Sequence, residues 1–285
     1  MMALYLHFPL MLILMCSWLF VPNAMAHDGN LHQQIRALTK QIKKDRKNGS
    51  LYFRRGHLYR QHGEWKYALK DYRKAFRLDP SIERYHLAVA ELYVDAEKLD
   101  SAMWHADAFL AQYPHQTEAL LVRIAVYEAR GNAEGMVEEY QQIIAHSQEK
   151  RPEYYISLSE TILRIDSTNY ADAIHWLEQG LQDKGFLILF HQKILTLELA
   201  QGHYDKALHR IDTILARLDR KEEWLVRKAQ VFEQATQFKE AITTYRAAQA
   251  AIGELPLRHQ HTSHIKTLSK EIQAALSKLE TYDQH

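Results

Sequence analysis

The feature that most constrains the fold is a pattern of small and aromatic residues that returns after 34 positions. Its clearest copy consists of Tyr52, Gly56, Tyr59, Ala68, Tyr72, Ala75 and Pro80. Small residues let two helix backbones approach closely, and the aromatic residues fill the space around that contact. A proline ends the second helix because it cannot continue the helical hydrogen bonds. The pattern therefore predicts pairs of antiparallel helices in series.

This spacing resembles the unit of the tetratricopeptide repeat family. The sequence contains six copies, at residues 49–82, 83–116, 117–150, 151–187, 188–221 and 222–255. The fourth copy is longer by three residues, which we place in the turn around Ile165 to Asn169. The resemblance implies an all-α fold: a right-handed superhelical solenoid of about six antiparallel helix pairs. Apolar residues at helical spacing predict an N-terminal capping helix at 27–48 and a C-terminal capping helix at 256–285.

The N-terminus has the pattern of an export signal. An apolar run from Phe8 to Val21 is shorter than the roughly 20 residues that span a bilayer, and the small-residue pattern of Ala24 and Ala26 follows it. We therefore expect residues 1–26 to be a signal peptide cleaved near Ala26, and the protein to be periplasmic or secreted. No Lys or Arg precedes the run, so an uncleaved membrane anchor is the alternative.

Charge is unevenly distributed along a chain whose composition, 47% apolar and 25% charged, is that of a folded protein. The formal net charge is +1, but fourteen Lys and Arg stand against three Asp and Glu between Leu31 and Leu78. One interpretation of this basic block is a helix face exposed to solvent. The alternative is a surface that binds an anionic partner such as lipid headgroups or an acidic polymer. Membrane contact would then be peripheral, and an exported protein is expected to bind no nucleic acid.

The sequence contains no pattern typical of an active site. The only cysteine, Cys16, lies in the leader, and glycine-rich phosphate loops, Gly-x-Ser-x-Gly and His-Glu-x-x-His are absent from the chain. The densest histidine cluster, His259, His261 and His264, has no carboxylate near it in the sequence. We therefore predict no enzyme activity, no metal and no cofactor.

The family resemblance implies where a partner would bind. In proteins similar to this one, the first helix of each repeat lines a concave groove that holds a protein or extended peptide. Carried onto this chain, the groove residues are Phe53, His57, Arg60, Arg84, Leu87, Glu91, Val94, Leu121, Glu128 and Tyr155. The carboxylate clamp of chaperone-binding members needs Lys and Asn where this chain has Phe53 and His57, so that role is not predicted. The predicted function is a scaffold for a partner that the sequence does not identify.

Two arginines occupy positions that are commonly apolar in this family. Arg55 and Arg123 each precede an acidic residue, Asp71 and Glu139, by sixteen positions. That spacing places each pair on the facing helices of one hairpin. We predict that each arginine pairs with the acid across its own hairpin and has a structural role.

Overall fold

The computed structural model describes residues 22–282, and that stretch is made of helices joined by short turns, with no strand. The helices are α1 (Pro22–Lys44), α2 (Gly49–Gln61), α3 (Trp65–Leu78), α4 (Tyr85–Asp95), α5 (Leu99–Leu110), α6 (Thr117–Ala129), α7 (Ala133–His146), α8 (Pro152–Ile165), α9 (Tyr170–Lys184), α10 (Ile188–Ala200), α11 (Tyr204–Leu215), α12 (Glu222–Gln234), α13 (Phe238–Glu254), α14 (Leu257–Gln260) and α15 (Ser263–Tyr282). Most of the predicted signal peptide, residues 1–21, lies outside the described residues. The chain divides into two compact units after Gly131.

Unit 1 contains α1 to α6, and its tightest hairpin is α2–α3. A Cβ atom built at Gly56 would lie 2.6 Å from the Tyr72 ring, so only glycine allows the two helices to come this close. Tyr72 and Ala68 are fully buried in the same contact. On the N-terminal side, α1 packs against α2 and buries its apolar stripe, which consists of Leu31, Ile35, Leu38 and Ile42.

Unit 2 contains α7 to α15 and repeats this hairpin construction in α8–α9, α10–α11 and α12–α13. The last long helix, α15, packs against α13 and buries Ile265, Leu268 and Ile272. Its apolar face thus covers the side of α13 that a further hairpin would otherwise occupy.

The longer fourth repeat changes both a helix and a turn. The turn between α8 and α9 comprises four residues, 166–169, whereas those after α2, α4, α10 and α12 comprise three. Helix α8 also begins one position later in its repeat than α2, α10 and α12 and has 14 residues against their 13, so it ends two positions later. Asp166 stabilises the turn by accepting hydrogen bonds from the Thr168 amide (2.9 Å) and hydroxyl (2.7 Å). The extra residues are therefore shared between the end of α8 and the turn.

Candidate functional site

Nine of the ten predicted groove residues lie in unit 1, on α2, α4 and α6 or immediately before α4. The tenth, Tyr155, lies on α8 in unit 2. The positions in unit 1 belong to the first helices of three successive predicted repeats. Helix packing within unit 1 therefore decides which of these nine side chains remain accessible.

An aromatic cluster forms the α2 part of this site. The rings of Phe53 and His57 meet edge to face with centroids 4.7 Å apart, and each lies 5.3 Å from the ring of Tyr72. The Tyr72 hydroxyl lies 3.1 Å from His57 Nδ1. Burial, with the nearby charges of Arg60 and Arg84, lowers the pKa of His57, while burial raises the pKa of Tyr72. Both groups are thus neutral at neutral pH, and the tyrosine can donate its hydrogen bond to the imidazole.

Ion pairs connect the successive first helices. Arg60 at the end of α2 contacts Glu91 on α4, and its Nε atom lies 2.5 Å from Asp95 Oδ2. Arg84, just before α4, lies 3.2 Å from Glu118 on α6, measured from Nη2 to Oε1. The arginines of the predicted groove are therefore already neutralised by carboxylates of the next helix. Arg60 contacts two different carboxylates of α4, so a single guanidinium group holds α2 to α4 at two points.

Two predicted groove residues are core residues in this structure. Leu87 is 1% exposed because α4 packs against α3, α5 and α6 and buries most of its surface. Tyr155 is fully buried, with its ring against Phe190 and its hydroxyl donating to Asp183. Neither side chain is available as an anchor for a partner. Phe53, Val94 and Leu121 remain partly exposed, and Glu128 is exposed.

The predicted pairing of Arg55 with Asp71 is confirmed. Nε and Nη2 of Arg55 donate to the two carboxylate oxygens of Asp71 at 2.6 and 2.8 Å, and Nη1 donates to the Thr39 hydroxyl at 3.0 Å. The hydrogen bond with Asp71 raises the pKa of Arg55 against the opposing effect of burial. Arg123 lies 3.5 Å from Asp107 and donates to the Tyr127 hydroxyl, and its pairing with Glu139 stays a prediction.

Sequence reasoning missed a buried ionic network in unit 2. Arg210 on α11 donates to Glu198 on α10 at 2.8 and 2.9 Å and to Glu178 on α9 at 2.7 Å. Glu198 is 3% exposed. The sequence did contain a sign of this network, because Glu198 is a charged residue at the packing position where other copies of the repeat have Tyr59 and Tyr93. The network links three helices through one guanidinium group, so we assign it a structural role.

Metal-binding groups and membrane-spanning helices were sought among the described residues. Among the side chains that the structure describes, residues 30–280, no three His, Cys, Asp or Glu are grouped so that they could hold a metal ion. His264, from the predicted histidine cluster, lies 2.7 Å from Glu223, and both side chains are more than half exposed. None of the helices in this part of the chain combines the length and apolar character that crossing a bilayer requires.

Comparison with known proteins identifies the repeats and the fold. Residues 50–82 and residues 193–256 match two models of the tetratricopeptide repeat. No curated protein sequence matches the chain. Its structure resembles the C-terminal part of a TPR repeat-containing protein from Cytophaga hutchinsonii at 13% identity, covering 82% of this chain and 95% of that one, with a TM-score of 0.57.

A second similar structure is a chain of the Naa15/Naa10 complex bound to HypK-THB. It is 14% identical, with a TM-score of 0.52, and the match covers 90% of this chain but only 38% of that one. Similarity at this level of identity shows the fold alone, and it confirms the predicted all-α class. The chain therefore contains tetratricopeptide repeats in two segments and has the fold of an all-α tetratricopeptide repeat solenoid.

Proposed function

We propose that this protein is a non-enzymatic scaffold that binds a protein or an extended peptide along the first helices of unit 1. Tetratricopeptide repeats generally mediate protein–protein interaction, which supports this class of function. The proposed surface, called the α2/α4/α6 strip below, consists of Phe53, His57, Arg60, Arg84, Glu91, Val94, Leu121 and Glu128. Leu87 and Tyr155 are left out because they are buried.

The observation that carries this proposal is the alternation of apolar and paired charged side chains across three successive helices. Phe53, Val94 and Leu121 are partly exposed on α2, α4 and α6. Between them lie the pairs of Arg60 with Glu91 and of Arg84 with Glu118. Apolar anchors supply most of the affinity at such surfaces, and neighbouring charges mainly set orientation. Because these charges are already paired, a partner does not have to neutralise an isolated buried ion.

The helix spacing indicates what kind of peptide would fit. Packed neighbouring helices lie about 8–10 Å apart, and three residues of an extended chain span about 10 Å. Val94 also lies seven positions later in its repeat than Phe53 and Leu121 lie in theirs, which adds about 10 Å along the helix axis. An extended partner that uses the three side chains in turn would therefore present an apolar side chain at about every fourth position. Residues between these anchors would face the Arg60 and Arg84 ion pairs and would be polar.

Affinity capture with matched variants tests this proposal. The test variant combines Phe53→Ala with Val94→Ala, one partly exposed aromatic and one aliphatic residue of the strip. The control combines Tyr67→Ala with Leu257→Ala, whose side chains are 56% and 71% exposed and lie outside the strip. We expect the wild type and the control to capture the same partner from host extract and the test variant to lose it, with melting temperatures measured for all three. Identical captured sets from all three proteins would contradict the proposal.

We also propose that the protein is exported. The apolar run at Phe8 to Val21 and the small residues Ala24 and Ala26 support this localisation. N-terminal sequencing of the protein isolated from its host tests it, with His27 expected as the first residue. A protein that keeps residues 1–26 and remains in the membrane fraction would instead support the anchored alternative.

A further inference from the structure

A cleft of about 530 Å³ in unit 1 is lined by seven residues of α3 and by the first residue of α4, none of which belongs to the α2/α4/α6 strip. Its lining residues are Trp65, Lys66, Leu69, Lys70, Arg73, Phe76, Arg77 and Tyr85. The apolar members Trp65, Leu69 and Phe76 are partly buried and pack against the core of unit 1. The four basic side chains are exposed. The cleft therefore combines apolar walls with a basic rim.

The four cations occupy one face of α3. Lys66, Lys70, Arg73 and Arg77 follow one another at intervals of four, three and four residues, which is the spacing of a single helical stripe. At 1.5 Å per residue this stripe is about 16 Å long. None of the four forms an ion pair with a carboxylate of the described residues, and no carboxylate lines the cleft.

The stripe contrasts with four paired arginines of the same unit. Arg55, Arg60, Arg84 and Arg130 each contact a carboxylate. Like charges at helical i, i+4 spacing destabilise a helix slightly, so the bare stripe costs stability in the isolated protein. A ligand with negative charges at matching spacing would remove that repulsion and gain from complementary charge.

The apolar part of this surface extends from the cleft to an exposed tryptophan. The rings of Phe76 and Tyr85 stack with centroids 4.3 Å apart, and the next ring, His86, lies 5.2 Å from Tyr85 and 5.8 Å from Trp104. Trp104 on α5 is 62% exposed. A ligand that covers both regions needs apolar side chains as well as negative charges.

These features favour an acidic amphipathic protein segment over other anionic ligands. Phe76 and Tyr85 each have one ring face covered by the other, and Tyr85 is only 8% exposed, so the cleft offers little ring surface for stacking on nucleotide bases. The apolar walls lie within a cleft, whereas a flat lipid surface would contact only the basic rim. An acidic helix can place carboxylates along the stripe and insert an apolar side chain between Trp65 and Phe76.

We propose that the α3 cleft binds an acidic amphipathic helix of a partner protein. Carboxylates of that helix pair with Lys66, Lys70, Arg73 and Arg77, and its apolar residues contact the walls of the cleft and Trp104. This is a second docking surface, separate from the α2/α4/α6 strip. It gives the basic N-terminal part of the protein a defined role in recognition.

A binding experiment with two charge-matched variants tests the proposal. The probe is a fluorescent synthetic helix of about sixteen residues, with glutamates at the spacing of the α3 stripe and leucines on the adjacent stripe. The test variant replaces Lys66, Lys70, Arg73 and Arg77 with glutamine. The control replaces four exposed cations of α1 with glutamine, namely Arg36, Lys40, Lys43 and Lys44. Both variants lose four positive charges within unit 1.

We expect the α3 variant to weaken probe binding by about tenfold or more and the α1 variant by less than about threefold. Trp104→Ala should also weaken binding, whereas Phe53→Ala with Val94→Ala should leave it unchanged, which separates this proposal from the scaffold proposal. Equal losses in the α3 and α1 variants would overturn it. Failure of the wild type to bind the probe would also overturn the proposal. This holds even if oligodeoxythymidylate or anionic phospholipid vesicles bind through the same four residues, because the ligand would then not be an acidic helix.

Discussion

Arg55 holds Asp71 through two parallel hydrogen bonds across the α2–α3 hairpin, and the two side chains are only 15% and 5% exposed. We predict that Asp71→Asn lowers the free energy of unfolding by about 2–4 kcal/mol, because it leaves the guanidinium charge partly buried without its partner. The double variant Arg55→Met, Asp71→Leu should lie within about 1 kcal/mol of the wild type, since it removes both charges. Urea unfolding followed by circular dichroism measures both. A double variant less stable than Asp71→Asn would contradict this account of the pair.

Gly56 and Gly253 provide a matched pair of helical glycines. A Cβ at Gly56 would lie 2.6 Å from the Tyr72 ring, whereas a Cβ at Gly253 would meet no atom within 4 Å. We expect Gly56→Ala to lower the free energy of unfolding by about 1–3 kcal/mol through overpacking. Gly253→Ala should raise it by up to about 1 kcal/mol, because alanine has the higher helix propensity. Thermal melts of both variants should show a lower melting temperature for Gly56→Ala and a higher one for Gly253→Ala. If both melting temperatures moved in the same direction, the close approach at Gly56 would be refuted.

Tyr155 should stabilise unit 2 through its hydroxyl group. The side chain is fully buried, and its hydroxyl group donates a hydrogen bond to Asp183. Burial, followed by the hydrogen bond to Asp183, raises the pKa of Tyr155, so the hydroxyl group keeps its proton. Tyr155→Phe is expected to cost about 1–2 kcal/mol, because it leaves the carboxylate without this donor. Tyr154 is 7% exposed and serves as the control. Tyr154→Phe should change the urea midpoint by less than half as much, and equal changes would argue against a role for the Asp183 bond.

The pair of His86 and His105 should make unit 1 sensitive to mild acid. Their Nδ1 atoms lie 3.1 Å apart. Burial, followed by the charges of His86 and Arg73, lowers the pKa of His105 from 6.5 to about 4. Below pH 6.5 the unfolded chain therefore binds a proton that the folded state does not, and stability falls progressively until about pH 4.

We expect the free energy of unfolding to drop by about 1–2 kcal/mol between pH 6.5 and pH 5 through this histidine, and His105→Phe to remove that part of the decrease. Urea unfolding at both pH values measures it. An NMR titration of His105 with a midpoint near 6.5 would show that the ring is not shielded in this way.

Much of the fold can be predicted from the sequence, because the small residues of the repeat mark the positions where two helices pack closely together. Gly56 lies against the Tyr72 ring and the Ala68 backbone where α2 and α3 touch, so the spacing of these residues predicts the hairpin directly. The Arg55–Asp71 pair is predictable for the same reason, because sixteen positions in this repeat connect facing points of one hairpin. These inferences depend on contacts within a single hairpin, which the 34-residue period determines.

The candidate site is less predictable because accessibility depends on contacts with other helices. Leu87 lies at a groove position of its repeat, but α4 is enclosed by α3, α5 and α6 and buries it. Tyr155 is buried by Phe190 and by Gly180, at which a Cβ would lie 3.1 Å from the tyrosine ring. Likewise, the sequence shows that α3 is basic, but only the structure shows that its cations find no carboxylate while Arg60 and Arg84 do.

The central claim is that a protein partner binds the α2/α4/α6 strip. The most direct test records the methyl NMR signals of this protein with and without the partner that affinity capture has identified. The account predicts that partner binding shifts the methyl signals of Val94 and Leu121 on the α2/α4/α6 strip and leaves that of Leu257 unchanged. Unchanged Val94 and Leu121 signals in the presence of a bound partner would contradict the claim that this strip is the binding surface.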